Sequence, residues 1–289
     1  MSKIKAIYVD HMGSDKTVVN AARESFNRAD INDYEAINDK DISLIKYLAR
    51  GVPSDEWESL VDKVTQSNDK DYIREMMKYI RTIPVHFVPF AHPHISIVEH
   101  VPITVARQRA KHQIGFATSE FSRRYKTDNI EVFEPDTWRN KPDTHIKQGS
   151  GVGDITLSGL YVSNHEIYMD SGNFNCTTIL SGDSELSDDD RRDFQFIDIY
   201  NHAVLESVNS YNKMLQEGVA PELARGVLPL HLMTKYRVTG SLYAFANAYI
   251  QRSDNHAQKE IQDLAKQWDE IIRPLFPISW AALVDGEYD

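Results

Sequence analysis

The stretch VARQRAKHQIGFATSEFSRRY, residues 105–125, decides how the rest of the chain is interpreted. Proline at 102 suits the first turn of a helix, and small or apolar residues then recur at helical spacing, which predicts a helix over 102–113. Residues 114–122 include the small residues Gly115, Ala117, Thr118 and Ser119, which predicts a loop whose backbone N–H groups and hydroxyls can reach a phosphate. The cationic and imidazole side chains gathered here are Arg107, Arg109, Lys111, His112, Arg123 and Arg124, with His100 just upstream. The stretch predicts an anion site, and the alternative is a solvated basic face of a surface helix.

The composition limits the class of protein and of ligand. With 289 residues, of which 41% are hydrophobic, the chain can supply a full core. Its 43 acidic residues outnumber the 32 basic ones and give a net charge of −11, which argues against binding a nucleic acid polymer through a general basic surface. No apolar run is long enough to span a membrane, and the first residues resemble a strand more than a signal peptide. We therefore expect a cytoplasmic protein with a small anionic substrate and no membrane partner.

Three further motifs are candidates for sites of chemistry. The single cysteine, Cys176, lies in a polar segment without basic neighbours, so we do not expect it to act as a nucleophile. Histidines 86, 92 and 94 lie in PVHFVPFAHPH, but no carboxylates occur at ligand spacing, so we predict no metal site. The glycines of GSGVGD, residues 149–154, lack the Lys-Ser/Thr of a phosphate loop, so we expect a flexible insert.

Hydrophobic periodicity predicts an α/β fold of the α+β type. Strands are expected at 4–9 and 95–105, and a hairpin is expected to join 155–162 to 167–169. Helices are expected at 17–26, 39–50, 186–217, 238–249 and 256–273, with two short ones within 52–83. We expect one domain, 1–289, with insertions at about 52–83 and 138–190.

Five segments, taken in order, resemble the flavin-dependent thymidylate synthases. VDHMGSDKTVVNAARESF (9–26) is similar to the N-terminal strand and helix of that family, and HFVPFAH (86–92) to its His-x-x-Pro-Phe-x-His turn. ARQ and KHQ, followed by Glu-x-Ser-x-Arg-Tyr at 120–125, resemble the Arg-His-Arg-x(7–8)-Ser signature. ARGVLPLHLMT (224–234) and RSDNHAQKEI (252–261) are similar to its last two site segments. The resemblance implies a mixed sheet flanked by long helices and a homotetramer whose sites draw on several subunits.

The resemblance also implies roles for individual residues. Arg252 would be catalytic, stabilising negative charge that develops at N3 of the pyrimidine and at the neighbouring carbonyl. The residues expected to hold a deoxypyrimidine monophosphate are Gln108, Lys111, Glu120, Ser122, Arg123, Arg124 and Arg225. Those expected to contact flavin are His86, Lys111, His112, Gln113, Glu120, Ser241, Tyr243 and Asn247.

The implied reaction converts dUMP to dTMP without a cysteine nucleophile. Methylenetetrahydrofolate would give the carbon, reduced FAD the hydride, and NADPH would reduce the flavin. The expectation that Cys176 does not act as a nucleophile is consistent with this chemistry.

The departures from the family pattern fall almost entirely on the flavin side. In KHQ, lysine and glutamine replace two arginines, and each change gives up a bidentate fork. Valine and alanine replace a threonine and a glutamate in the histidine turn, and serine and tyrosine replace an asparagine and an arginine further on. These positions are Val88, Ala91, Lys111, Gln113, Ser241 and Tyr243.

Three hypotheses follow from the matches and departures. The first is thymidylate synthesis by the family reaction. The second is a divergent enzyme that makes another C5 product, such as a hydroxymethyl nucleotide, and the third is a paralogue that binds nucleotide without flavin.

Overall fold

The computed structural model describes residues 3–27, 29, 36–142, 149–151, 153, 160–163, 180–181, 191–193 and 196–285. The chain divides into two units. Ser2–Phe121 and Met233–Asp289 form one, called here the split unit, and Ser122–Leu232 form the other, called the inserted unit. A single domain over 1–289 stays a prediction.

A four-stranded sheet organises the split unit. Its strands are β1 (Lys5–Met12), β2 (His94–Pro102), β3 (Phe116–Glu120) and β7 (Met233–Ser241), in the order β1-β2-β7-β3. Along β2, buried residues such as Ile95 and Ile97 alternate with half-buried ones, which is the pattern of a sheet with one face on the core. The α+β class is confirmed. The expected mixed sheet is corrected, because all three strand pairings are antiparallel.

Eight helices of the split unit are described. They are α1 (Asp15–Glu24), α2 (Asp39–Arg50), α3 (Ser54–Thr65), α4 (Lys70–Ile80), α5 (Ile103–Arg109), α8 (Leu242–Ser253), α9 (Lys259–Ile272) and α10 (Pro277–Val284). Of these, α5, α8 and α9 contact the strands of this sheet. Fully buried Phe245, Trp268 and Trp280 join the β2 residues in one core. This core gives α5, α8 and α9 a fixed frame, and the candidate site is built on it.

The inserted unit contains a small sheet and a long helix. Strands β4 (Leu160–Ser163), β5 (Leu180–Ser181) and β6 (Arg191–Asp193) are antiparallel in the order β5-β4-β6. Helices α6 (Phe196–Gln216) and α7 (Pro221–Ala224) follow, and a 3-10 turn, Arg225–Val227, closes the segment. The expected hairpin partner at 167–169 lies outside the described residues. The long helix begins ten residues later than the expected 186, and β6 occupies part of the difference.

Two sequence expectations about secondary structure were wrong in the split unit. The predicted loop at 114–122 contains β3, because residues 116–120 pair with β7 from Gly240 to Tyr236. The helix predicted to start at 238 starts at Leu242, because Val238–Ser241 complete β7 and the Ser241 hydroxyl caps the helix by accepting from Ala244 N–H. Half of the sheet was therefore missed.

Candidate functional site

Arg252, the predicted catalytic residue, holds two other predicted site residues. Its Nε donates to Nε2 of His112 at 2.8 Å, and its Nη2 donates to the backbone carbonyl of Gln108 at 3.1 Å. The Gln108 side chain donates in turn to Oε1 of Gln258 at 2.6 Å. The structure therefore brings Gln108, His112 and Arg252 together where the end of α5 meets the end of α8.

The turn after α5 lies along one face of α8. Gly115, with φ of +79°, approaches the helix so closely that a Cβ built on it would be 2.9 Å from Cβ of Ala244 and 3.3 Å from Oγ of Ser241. The Ser241 N–H donates to the Gly115 carbonyl at 3.2 Å. Gly115 contacts the start of α8, and His112 contacts Arg252 near its end. The turn is therefore held at both ends of this helix.

A buried network lies behind this turn, centred on Glu99 of β2. Its Oε1 accepts from Nε1 of Trp268 at 2.9 Å and from Nε of Arg109 at 3.4 Å, and its Oε2 accepts from the Tyr236 hydroxyl at 2.5 Å. Arg109 is 3% exposed and Glu99 is 0% exposed. Burial raises the pKa of Glu99, while the charge of Arg109 and the three donated hydrogen bonds oppose that rise.

Aromatic rings surround the Arg109 guanidinium. Its Cζ lies 4.0 Å from the ring centroid of Phe116 and 5.2 Å from that of Trp268. Nη1 donates to the carbonyl of His112 at 3.4 Å, and Nη2 is buried with no acceptor in the part of the chain that the structure describes. Sequence reasoning noted Arg109 among the basic residues but gave it no role, because its partner Glu99 lies on another element.

The electrostatics of the site favour an anion beside a neutral imidazole. Burial, followed by the charges of Arg252 and Arg109, lowers the pKa of His112 to about 4, so the ring is uncharged at neutral pH. Burial and the charge of Arg109 lower the pKa of Arg252 as well. Among the described residues, Arg252 has no carboxylate within ion-pair distance. Its positive charge is therefore available to a ligand.

The residues predicted to contact flavin all belong to the split unit. Tyr243 stacks on Phe87 with centroids 5.1 Å apart, and His86 stacks on Tyr47 at 5.5 Å. Asn247 lies one helical turn beyond Tyr243 on α8 and is exposed. Lys111 and Gln113 are exposed on the turn after α5, whereas Ser241 is buried as the cap of α8.

Glu120 is the last residue of β3 in the four-stranded sheet. Its Oε1 accepts from the Thr234 hydroxyl of β7 at 2.7 Å, which fixes an otherwise exposed carboxylate. The negative charge of Glu120 also contributes to the raised pKa of Tyr236, for which burial is the main cause. Glu120 therefore presents a positioned acceptor, and its contact to substrate or cofactor stays a prediction.

Ser122, Arg123, Arg124 and Arg225 belong to the inserted unit. The Ser122 hydroxyl accepts from the backbone N–H of Arg124 at 3.3 Å, which forms a tight turn. The exposed guanidinium of Arg124 lies over the neighbouring Tyr125 ring, 5.2 Å from its centroid. Arg225 is exposed at the start of the 3-10 turn. Both guanidinium groups are exposed to solvent, and their contact to a phosphate stays a prediction.

Arg123 differs from its neighbours because it stabilises the loop that follows. It is 9% exposed, and its guanidinium donates to the backbone carbonyls of Asp128 at 2.5 Å and Asn129 at 2.8 Å. Asn129 has a φ of +50°, which the double contact to this segment helps to hold. The substrate contact assigned to Arg123 stays a prediction, and its observed contacts are structural.

The remaining sequence candidates give no second site in the described chain. The Gly151 and Gly153 N–H groups of GSGVGD both donate to Asn140, so they are already bonded within the protein. Cys176 lies outside the described residues. Within those residues, no group of three His, Cys, Asp or Glu side chains could hold a metal ion, and no helix is long and apolar enough to cross a membrane.

Comparison with known proteins shows the family of the chain. The family model described as thymidylate synthase complementing protein matches residues 8–278. The flavin-dependent thymidylate synthase of Thermotoga neapolitana is 27% identical over 280 residues, covering 97% of this chain and 90% of that protein. A protein of the same description from Thermus thermophilus is 26% identical over 286 residues, covering 97% of this chain and 77% of that protein.

Among solved structures, the fold is similar to that of a UMP/dUMP methylase, PolB, from Streptomyces cacaoi, solved with 5-bromo-dUMP. The TM-score is 0.63 at 21% identity, covering 97% of this chain and 94% of that one. At this identity the likeness is one of fold alone.

Proposed function

The chain belongs to the thymidylate synthase complementing protein family and is a methyltransferase, and on this premise we propose that it transfers a one-carbon unit to C5 of dUMP, giving dTMP. The observation that carries the proposal is the state of Arg252. Its guanidinium is held by His112 and by the Gln108 carbonyl, yet no carboxylate in the described residues neutralises it.

The geometry of Arg252 leaves donors for a substrate. A guanidinium carries five N–H groups, and the two contacts to His112 and Gln108 use Nε and one hydrogen of Nη2. The remaining N–H groups are suited to N3 and the adjacent carbonyl of a pyrimidine, where negative charge develops when C5 becomes nucleophilic. A fixed guanidinium stabilises that charge more in the transition state than in the bound substrate.

The phosphate of the nucleotide would be held by the residues predicted for it. Arg124 and Arg225 are exposed, permanently charged and able to grip a phosphate bidentately. The Ser122 turn orients the Arg124 backbone, and Glu120 is fixed by Thr234 as an acceptor. Gln108 and Lys111 complete the proposed substrate set, and Arg123 supports it by holding the 122–129 loop.

The residues on the flavin side fit FAD, the cofactor implied by the family. The Tyr243–Phe87 and His86–Tyr47 pairs offer exposed aromatic surface to a planar ring, and Lys111, Gln113 and Asn247 offer exposed donors. Neutral His112, whose Nε2 accepts from Arg252, can donate a hydrogen bond from Nδ1 without adding charge. Ser241 would act indirectly by capping α8. When bound and reduced, FAD supplies the hydride that completes the methyl group.

The carbon donor, the reductant of the flavin, the oligomeric state and the compartment are proposed from the family. We infer that methylenetetrahydrofolate donates the carbon, that NADPH reduces the flavin, that the enzyme is a homotetramer and that it acts in the cytoplasm. These statements rest on the sequence resemblance.

Two measurements, made one after the other, test the proposed function. The purified protein, alone or after incubation with FAD, should show flavin absorbance, and the absence of bound flavin would contradict it. With dUMP, methylenetetrahydrofolate and NADPH, the mass of the nucleotide product should equal that of dTMP. A hydroxymethyl nucleotide would instead identify a divergent C5 reaction on the same site.

A further inference from the structure

Arg109 is a buried arginine next to the candidate site. It is the last residue of α5, and its side chain runs inward, away from the exposed Arg107 and Lys111 that flank it. Glu99 is its ion-pair partner, at 3.4 Å. A buried ion pair of this kind does not by itself favour folding, since apolar residues of similar size often serve as well. Its presence therefore calls for a second role.

The position of Arg109 supplies that role. One guanidinium nitrogen faces Glu99, and another, Nη1, donates to the carbonyl of His112. Arg252 contacts the same segment through the His112 ring and the Gln108 carbonyl. The segment from Gln108 to His112 is thus fixed by two guanidinium groups, that of its own Arg109 and that of Arg252, of which only Arg109 has a carboxylate partner in the described chain.

We propose that Arg109, supported by Glu99, is a positioning residue that holds the turn after α5 and, with it, the His112 ring that accepts a hydrogen bond from Arg252. The consequence is a fixed direction for the Arg252 guanidinium. This inference rests on the proposed function, because it gives Arg109 its effect through the residue proposed to contact the pyrimidine.

Arg109 acts on His112 through its charge as well as through its contact with the backbone carbonyl. A protonated His112 could not accept a hydrogen bond from Arg252 and would repel it. The charges of Arg252 from α8 and Arg109 from α5 both act against protonation of the ring, in addition to its burial. Glu99 neutralises Arg109 toward the core and fixes its plane among Phe116, Phe245 and Trp268.

A titration of His112 by NMR in the ligand-free protein tests this role without any assay of turnover. The imidazole signal would be assigned by its loss in His112→Gln. In Arg109→Met, we expect the pKa of His112 to rise from about 4 toward the ordinary imidazole value, since one opposing charge is gone. In Arg109→Lys, which keeps the charge, it should stay low.

Glu99→Gln is the matched control. It disturbs the same buried network but leaves Arg109 charged, so the pKa of His112 should stay unchanged or fall. A purely structural role would make Arg109→Met and Glu99→Gln act in the same direction, and that result would overturn the proposal. An unchanged pKa in Arg109→Met would do so as well. If Arg109→Met does not fold, the double variant E99L/R109M, which exchanges both charges for apolar groups, should show the same rise.

Nucleotide binding gives the second measurement. The Kd for dUMP should rise about tenfold in Arg109→Met, the loss of affinity expected for one misplaced charge-assisted hydrogen bond. It should rise less in Arg109→Lys. If the wild-type protein binds no dUMP, the proposed function fails, whereas the NMR titration still decides the role of Arg109.

Discussion

Nε of Arg252 and Nε2 of His112 lie 2.8 Å apart, and this contact joins the end of α8 to the turn after α5. Because Arg252 is the donor, Nε2 must be the acceptor, and the proton of the neutral ring lies on Nδ1. The imidazole therefore presents a donor to its surroundings and an acceptor to the guanidinium. A change at either residue should therefore alter the other.

Replacing Arg252 by alanine should remove catalysis. We expect turnover of dUMP to fall by roughly 100-fold to 1,000-fold, the range seen when one fixed donor to a developing negative charge is lost. Product formation followed by mass spectrometry under saturating substrate measures this. Cys176→Ala is the control and should keep near wild-type turnover, and a large loss in that variant would contradict chemistry that needs no cysteine nucleophile.

Acid should destabilise the protein through His112. Its pKa lies near 4 in the folded state, against about 6.5 when unfolded, so the unfolded chain binds more protons between these values. Stability should therefore fall as the pH drops from about 6.5 to about 4, and the His112 contribution should fall no further below that. Urea unfolding midpoints at several pH values measure the slope. His112→Gln should flatten it, and an unaltered slope in that variant would exclude His112 as the cause.

Gly115→Ala should destabilise the turn that carries the site. Its positive φ alone costs a residue with a side chain about 1 kcal/mol, and the new Cβ would also meet Ala244. Because the two costs add, we expect the free energy of unfolding to fall by more than the backbone cost alone, together with weaker nucleotide binding. Thermal unfolding and dUMP binding provide the measurements.

Gly218→Ala is the matched control for Gly115→Ala. Gly218 has a similar φ of +85°, but nothing lies within 4 Å of a Cβ built there. The Gly218→Ala variant should lose only the roughly 1 kcal/mol of unfolding free energy that a positive φ costs, and its nucleotide binding should not change. Ala244→Gly should cost less stability in the Gly115→Ala background than in the wild-type protein, where a glycine within α8 is destabilising by roughly 0.5–1 kcal/mol, and equal costs in the two backgrounds would mean that the close approach of turn and helix is unimportant.

Tyr243 should contribute to flavin binding through its ring. Because it stacks on Phe87, Tyr243→Phe should keep FAD affinity, whereas Tyr243→Ala should weaken it by about fivefold to tenfold, the value of one aromatic stacking contact. Titration of flavin fluorescence gives the affinities. Equal affinities in the two variants would remove Tyr243 from the cofactor site.

Local signals in the sequence predicted some elements closely. Helix α2 was expected at 39–50 and spans Asp39–Arg50, because Asn38 caps its start and Gly51, with φ of +77°, ends it. Strand β3 was missed because its residues after Phe116 are small or charged and become a strand only by pairing with β7, more than a hundred positions away. Propensity over a short window carries no information about such a partner.

The site shows the same division between local and distant information. The motifs around His112 and Arg252 were recognised from sequence, and the structure brings the two side chains into contact. The link between Arg109 and Glu99 could not be predicted, because a basic residue among others gives no sign that its side chain turns inward to a carboxylate on a neighbouring strand.

The Glu99 carboxylate also sets the time at which the protein can become functional during its synthesis. Its partners Tyr236 and Trp268 are separated from it by 137 and 169 positions, so the whole of the inserted unit is translated before either exists. Until α9 leaves the ribosome, Glu99 and Arg109 lack the indole that helps to enclose them. A nascent chain stalled before residue 268 should therefore carry every residue of the turn after α5 and still lack the Trp268 indole that helps to hold it in place.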